Sequence, residues 1–241
     1  MTTFMLVHGA WQGAWCWERV APLLERAGHT VRTPTLTGCG DRADELTPAV
    51  TLDTHLEDVA SVVDDIDDGV VLVGHSYAGM VVSGVADGQA DRLAGLVYLD
   101  GFYPKDGDSA ISLMPPQFQA FFRQTAADSG EGWRLPAGDG LLDVWGLHDP
   151  DDRRWVRERL TDWSLPCFET PLHLPNGGRD RLPKTFLAGA AEAYPGRVVF
   201  GPLAERAEQD GCRLHQLPTG HDLMIERPAD VAEILLSAAP G

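Results

Sequence analysis

What most restricts the fold of this chain is a switch of hydrophobic period that recurs through its first hundred residues. "FMLVHG" and "VVLVG" are short apolar runs without alternation, the pattern of strands covered on both faces of a parallel sheet. Between them, "TLDTHLEDVASVVDDIDDG" repeats Leu52, Leu56, Val59, Val63 and Ile66 at steps of four and three, which is one helical stripe with acids opposite. "HTVRTPTL", "GLVYLD", "KTFLAG" and "CRLHQLP" read as further strands. "AWCWERVAPLLERAG" reads as a helix closed by Gly28 as a C′ glycine, and helices follow near "LAERAEQDG" and over "PADVAEILLSA", where Pro228 lies near the first turn. Strands alternating with helices predict an α/β fold built on a mainly parallel, doubly wound sheet.

The alternation stops after Pro104. Residues 105–181 are rich in Pro, Gly, Asp and aromatics, and no buried strand is expected among them. They are predicted to form an inserted cap on a core made of residues 1–104 and 182–241. No internal repeat or low-complexity linker interrupts either part.

Composition narrows the partners. The 241 residues are 44% apolar, enough for one α/β domain with an insertion, and their net charge of −17 repels phosphate backbones and anionic lipid. The locally basic "DDRRWVRERL" alternates with acids and reads as a solvated helix face. Neither nucleic acid nor a membrane is an expected partner. "MTTFMLVHGAW" has no positive leader region and no apolar stretch approaches 18 residues, so no signal peptide or span is expected. Cys16, Cys39, Cys167 and Cys212 are far apart and form no C-x-x-C pair, which fits free thiols in a reducing cytoplasm and no metal site.

The chemistry centres on "VVLVGHSYAGM", where a buried strand ends at Gly74 and Ser76 follows among small residues before a helical run. An ordinary strand-to-helix turn would look similar, but the setting is that of a nucleophile elbow, with Ala78 standing where a second glycine is usual and Gly79 beyond it. A serine hydroxyl needs a base, a group that orients the base, and donors for the oxyanion. "LPTGHDLMIERP" offers His221 as the base in a loop between the last strand and the last helix. The acid is Asp100, at the end of "GLVYLD", or Glu192, in "GAAEAYPG"; Asp100 is favoured because it lies immediately at a strand end. "LVHGAWQGAW" supplies a small-residue loop after the first strand, so the backbone N–H groups of Ala10 and Tyr77 are the candidate oxyanion donors. No G-x-G-x-x-G is present. His55 sits on a helix, His75 is expected to pack beneath the elbow, and His29, His148, His173 and His215 have no motif around them.

With these motifs assembled, the chain resembles the α/β-hydrolase superfamily over nearly its whole length. It is most similar to the small branch that holds plant methyl-ester esterases of the salicylate-binding type and α/β-fold hydroxynitrile lyases. The resemblance implies Ser76 as nucleophile, His221 as base, Ala10 and Tyr77 as oxyanion donors, and hydrolysis of a carboxylic ester or lactone without metal or organic cofactor. In the plant pattern the acid follows the strand matching "KTFLAG", near Glu192 here, whereas Asp100 matches the position used by some haloalkane dehalogenases. The lyases use a lysine after the histidine and a threonine in the first loop; Asp222 and Gly9 stand there instead. Dehalogenases and epoxide hydrolases need a carboxylate where Ser76 is. A non-catalytic binder that keeps the fold is the remaining alternative. Trp11 and the aromatic insertion suggest a pocket for a small hydrophobic or aromatic molecule, and a homodimer is compatible with the sequence.

Overall fold

The protein is described here by a computed structural model covering residues 1–67 and 69–239. Among the described residues six strands form one sheet: β1 (Thr3–Val7), β2 (Thr30–Arg32), β3 (Val70–His75), β4 (Leu93–Leu99), and, numbered in chain order past residues 105–181, β7 (Lys184–Gly189) and β8 (Arg213–Leu217). Their order is β2-β1-β3-β4-β7-β8 and every neighbouring pair is parallel. Every residue of β1 and β3 is buried, which explains why these runs carry no period of two: both faces need apolar side chains.

Helices α1 (Ala21–Arg26) and α10 (Pro228–Ala238) pack on each other, as do α2 (Leu52–Asp64) and α3 (Ala78–Gln89). On α2 the stripe read from the sequence buries Leu52, Val59 and Val63, and Thr51 opens the helix through a capping box with Thr54, a device worth about 1 kcal/mol. The helix expected over residues 14–28 is divided into a 3₁₀ turn, Ala14–Trp17, and α1. Pro22 in the first turn of α1 has no N–H to continue an earlier helix, so the helix restarts there. Gly28 closes it at φ +88°. The expected strand at 29–36 is paired over only three residues, at the sheet edge, before Pro34. Helix α8 (Arg197–Gln209) starts earlier than its apolar pattern suggests and runs through Pro202.

Residues 105–181 add no strand to the main sheet. They form α4 (Pro116–Ser129), α5 (Asp139–Trp145), α6 (Pro150–Arg157) and α7 (Leu165–Glu169), with a two-residue antiparallel ladder between β5 (Arg134–Leu135) and β6 (Trp163–Ser164). That ladder is a correction, since Leu135, Trp163 and Ser164 are buried; two residues are too short to show a period. "DDRRWVRERL" largely becomes α6, capped by Asp149 accepting from the amides of Asp151 and Asp152 and buried only at Val156. The insertion is joined to the core by Trp11 Nε1 donating to Leu135 O at 3.0 Å and Ser164 Oγ donating to Val50 O at 2.8 Å. All four cysteines are free and buried. Among the described residues no helix is long and apolar enough to cross a membrane.

Candidate active site

The strand order locates the site before any side chain is considered. From β1 the chain moves outward to β2, then returns to the other side of β1 and proceeds through β3, β4, β7 and β8. The order therefore reverses between β1 and β3, and in parallel sheets the crevice beyond the carboxyl ends of such a pair is where ligands bind. Val7 pairs with Gly74, so the loops after both strands emerge side by side. A Cβ at Gly9 would stand 2.8 Å from Ser76 Cβ and 2.9 Å from His75 Nδ1, which is why only glycine fits there.

Among the described residues, four that are not glycine have positive φ: Trp11 (63°), Ser76 (54°), Asp100 (41°) and Glu131 (56°). Three of the four follow the carboxyl ends of β1, β3 and β4. Backbone of this kind costs on the order of 1–3 kcal/mol per residue and persists where surrounding contacts impose it. At Ser76 those contacts are its N–H donating to Leu99 O at 3.1 Å and its carbonyl accepting from Phe102 and Gly79 at 3.0 and 3.1 Å. The glycine pattern of the elbow also has a local cause. A Cβ at Gly74 would meet Ala78 O at 2.7 Å, and one at Gly79 would collide with Phe102 O. The close approach falls at 79, and position 78 accommodates alanine.

Asp100 is 1% exposed. Its amide donates to Leu187 O at 2.7 Å, its Oδ1 accepts from the Gly189 amide at 3.0 Å, and its Oδ2 lies 2.7 Å from His221 Nδ1. His221 donates its amide to Trp145 O at 2.8 Å, and its ring stacks on Phe200 with centroids 4.6 Å apart. With Nδ1 on Asp100, the Nε2 side of the ring is left for the cavity that His221 and Ser76 both line. Burial holds the Asp100 carboxyl well above its ordinary range, opposed by donation from Tyr194 and from the Gly189 amide. Burial also pushes His221 well below 6.5, so its imidazole is neutral at physiological pH. Glu192, the other candidate acid, is exposed.

Several residues that sequence reasoning did not assign to the site surround it. Tyr194 donates its hydroxyl to Asp100 Oδ2 at 2.6 Å. His75, beneath the elbow as expected, donates Nε2 to His221 O at 3.0 Å, with Nδ1 3.0 Å from Gln12 Oε1. Gln12 accepts from the Gly9 amide at 3.3 Å and donates to Asp222 Oδ1 at 2.7 Å, tying the first loop to the residue after His221. Tyr77 is fully buried; His55, its ring partner, lies 3.1 Å away through Nδ1 and holds Thr37 O at 3.0 Å through Nε2. The backbone of Tyr77 therefore opens α3 from an anchored side chain.

The cavity is about 310 Å³ and is walled by Trp11, Phe102, Phe122, Trp145, Phe168 and other apolar side chains, with Ser76 and His221 at one end. Phe121 and Val144, both exposed, lie at its rim. Among the described residues lining it there is no Lys or Arg. No cluster of His, Cys, Asp and Glu suited to a metal ion occurs among the described residues.

The sequence profile of the Alpha/beta hydrolase family matches residues 4–234. The chain belongs to this family. This α/β hydrolase is 40% identical, over a 246-residue alignment covering 98% of each chain, to the Carbendazim hydrolyzing esterase of Nocardioides sp. (strain SG-4G). It is 37% identical to Methylesterase 8 of Arabidopsis thaliana over 108 residues, 44% of this chain and 40% of that one. Among solved structures, an extracellular α/β-hydrolase from a Paenibacillus species, described as sharing structural and functional homology with Tobacco Salicylic Acid Binding Protein 2, superposes with a TM-score of 0.86 at 26% identity over 100% of both chains. Tomato Methylketone Synthase I shares the fold, with a TM-score of 0.83 at 19% identity. Carboxylesterase-type hydrolysis is the chemistry this α/β hydrolase has in common with its esterase relatives.

Proposed function

We propose that the protein is a serine hydrolase that cleaves a carboxylic ester or lactone of a small hydrophobic or aromatic substrate through an acyl-enzyme. The observation that carries this reading is the alignment of Asp100 Oδ2 on His221 Nδ1 at 2.7 Å, with His221 and the strained Ser76 lining one apolar cavity. Ser76 Oγ attacks the ester carbonyl while His221 Nε2 takes its proton. Asp100 accepts from Nδ1–H, fixes the tautomer and stabilises the imidazolium that forms. The backbone N–H groups of Ala10 and Tyr77 receive the oxyanion. Collapse expels the alcohol with the proton from His221, and water activated by the same imidazole releases the acid. The reaction balances with water alone.

Residues 105–181 act in this reading as a cap whose aromatic side chains hold the two arms of the ester. The apolar walls, without a lining cation, favour an uncharged substrate, in keeping with the carbendazim and methyl-ester names of the relatives. Carbon–carbon lyase chemistry of the kind considered above needs a cation after the histidine. Asp222 occupies that place, buried and bonded to Gln12.

The test is intact-mass spectrometry after fluorophosphonate treatment, followed by turnover of carbendazim, aromatic methyl esters and 4-nitrophenyl butyrate. One adduct on the wild type, absent from Ser76→Ala, and hydrolysis that disappears with the same substitution are expected. An unlabelled, folded wild type, or a Ser76→Ala variant that keeps more than a few per cent of turnover, would overturn the reading.

A further inference from the structure

Three polar atoms converge behind the base. Tyr194 Oη is 2.6 Å from Asp100 Oδ2 and 3.0 Å from His221 Nδ1, and those two atoms are 2.7 Å apart. Two protons fit inside this triangle when Asp100 is ionised and His221 is neutral. The phenol O–H and the imidazole Nδ1–H both donate to Oδ2, while Oδ1 takes the Gly189 amide. The carboxylate then has three donors, in a site where it is almost completely withdrawn from water.

The phenol is placed by its own surroundings. Tyr194 is 4% exposed. Its ring lies on the backbone of Gly196, where a Cβ would stand 2.6 Å from the hydroxyl, and beside Gly146 at the end of α5. The Gly196 amide donates to Val144 O at 3.1 Å, which clamps the tyrosine loop to the insertion. A side chain held on both sides in this way can direct a hydroxyl at one oxygen with little freedom to leave it.

We infer that Tyr194 is a positioning residue for Asp100, holding the carboxylate ionised and aimed at His221 Nδ1. The inference rests on the reading of Ser76, His221 and Asp100 as a triad. An acid that issues from β4 reaches the base from a different strand than one in the loop after β7. The β7 loop contributes a donor to that acid in place of the acid itself. Burial raises the carboxyl of Asp100, and a phenol that donates only to its ionised form opposes that rise. Burial keeps the phenol itself protonated, reinforced by the negative charges of Asp100, Asp222 and Glu226 that face it. The remaining titratable group packed against His221 is His75, held neutral by its own burial.

The experiment is the rate of Ser76 labelling by a fluorophosphonate as a function of pH, in the wild type, Tyr194→Phe and Asp100→Asn, with thermal unfolding of each. A hydrogen bond to a charged group is worth roughly one to two pH units, so the acid limb of Tyr194→Phe should move up by that amount. Labelling near pH 6 should fall about tenfold or more and should return to within about threefold of wild type near pH 9. An acid limb that stays in place, or a loss equal at all pH values, overturns the inference. If Asp100→Asn labels as fast as the wild type, the triad reading itself has failed. If only Asp100→Asn is slow, the triad stands and Tyr194 has no part in holding it.

Discussion

Asp100 and His221 are 121 residues apart in sequence, yet Asp100 Oδ2 sits 2.7 Å from His221 Nδ1. The contact follows from the sheet: β4 and β8 flank β7, and the loop after β8 turns back over the carboxyl end of β4. Glu192, on the β7 loop between them, faces solvent.

Replacing the acid should separate the two candidates. Asp100→Asn leaves the shape of the site but allows the wrong imidazole tautomer, and it should lower kcat by roughly 10³–10⁴ at neutral pH. Glu192→Gln should stay within about twofold, as expected of an exposed carboxylate. Steady-state hydrolysis of 4-nitrophenyl butyrate decides, and the opposite ranking would move the acid to position 192.

The pH profile should be set by the buried Asp100–His221 pair, whose two groups titrate together. Asp100 is raised by burial to about 7, with donation from Tyr194 and Gly189 working against the rise. Burial lowers His221 and so favours its neutral ring. A protonated Asp100 cannot accept from Nδ1–H, so kcat/KM should rise with pH to a plateau above a midpoint close to that of Asp100. A midpoint below about pH 5 would show that the carboxyl is not held up by burial.

Gly79→Ala tests the packing of the elbow. The added methyl has no room beside Phe102 O, so the elbow helix or the loop behind Asp100 must shift. A loss of about 1–3 kcal/mol in urea unfolding is expected, together with most of the activity. Ala78→Gly, one residue earlier, should keep its turnover, because no close approach exists there to relieve.

Asp222→Asn should alter stability in a pH-dependent way. Asp222 is completely buried, and its Oδ2 has no partner among the described residues. Burial raises its carboxyl from 3.8 to about 7, partly countered by Gln12. A group raised in the folded state contributes stability below its unfolded value and loses it as pH rises through the folded one. Between about pH 5.5 and 8.5 the wild type should therefore lose about 2 kcal/mol relative to the asparagine variant. Urea midpoints at the two pH values measure this, and a gap that does not change with pH would refute it.

The buried strands, and the candidate serine, histidine and acid in the loops after the strands, were legible because each leaves a local trace. A strand covered on both faces shows as an apolar run, and an elbow needs small residues at fixed offsets. Asp100 could be favoured from its place at a strand end. Tyr194, Gln12 and Asp222 were not legible, because their roles come from contacts across 94 and 210 residues. The one signal that could have found Tyr194 is that its loop follows the strand where related chains place their acid. Residues 105–181 were legible as a stretch without strands of the main sheet but not as elements, since their helices are short and their ladder pairs only two residues.

Trp11 belongs at once to the cavity wall and to the continuous cluster of buried rings that includes Trp163, Phe168 and Trp145. The cavity wall and the buried interior thus draw on the same side chains. Reshaping the chamber to admit a larger guest removes mass from the interior that keeps the insertion in place. Catalyst engineers working on this scaffold should therefore find tolerant positions at the rim, where Phe121 and Val144 already meet solvent, and brittle ones deeper in.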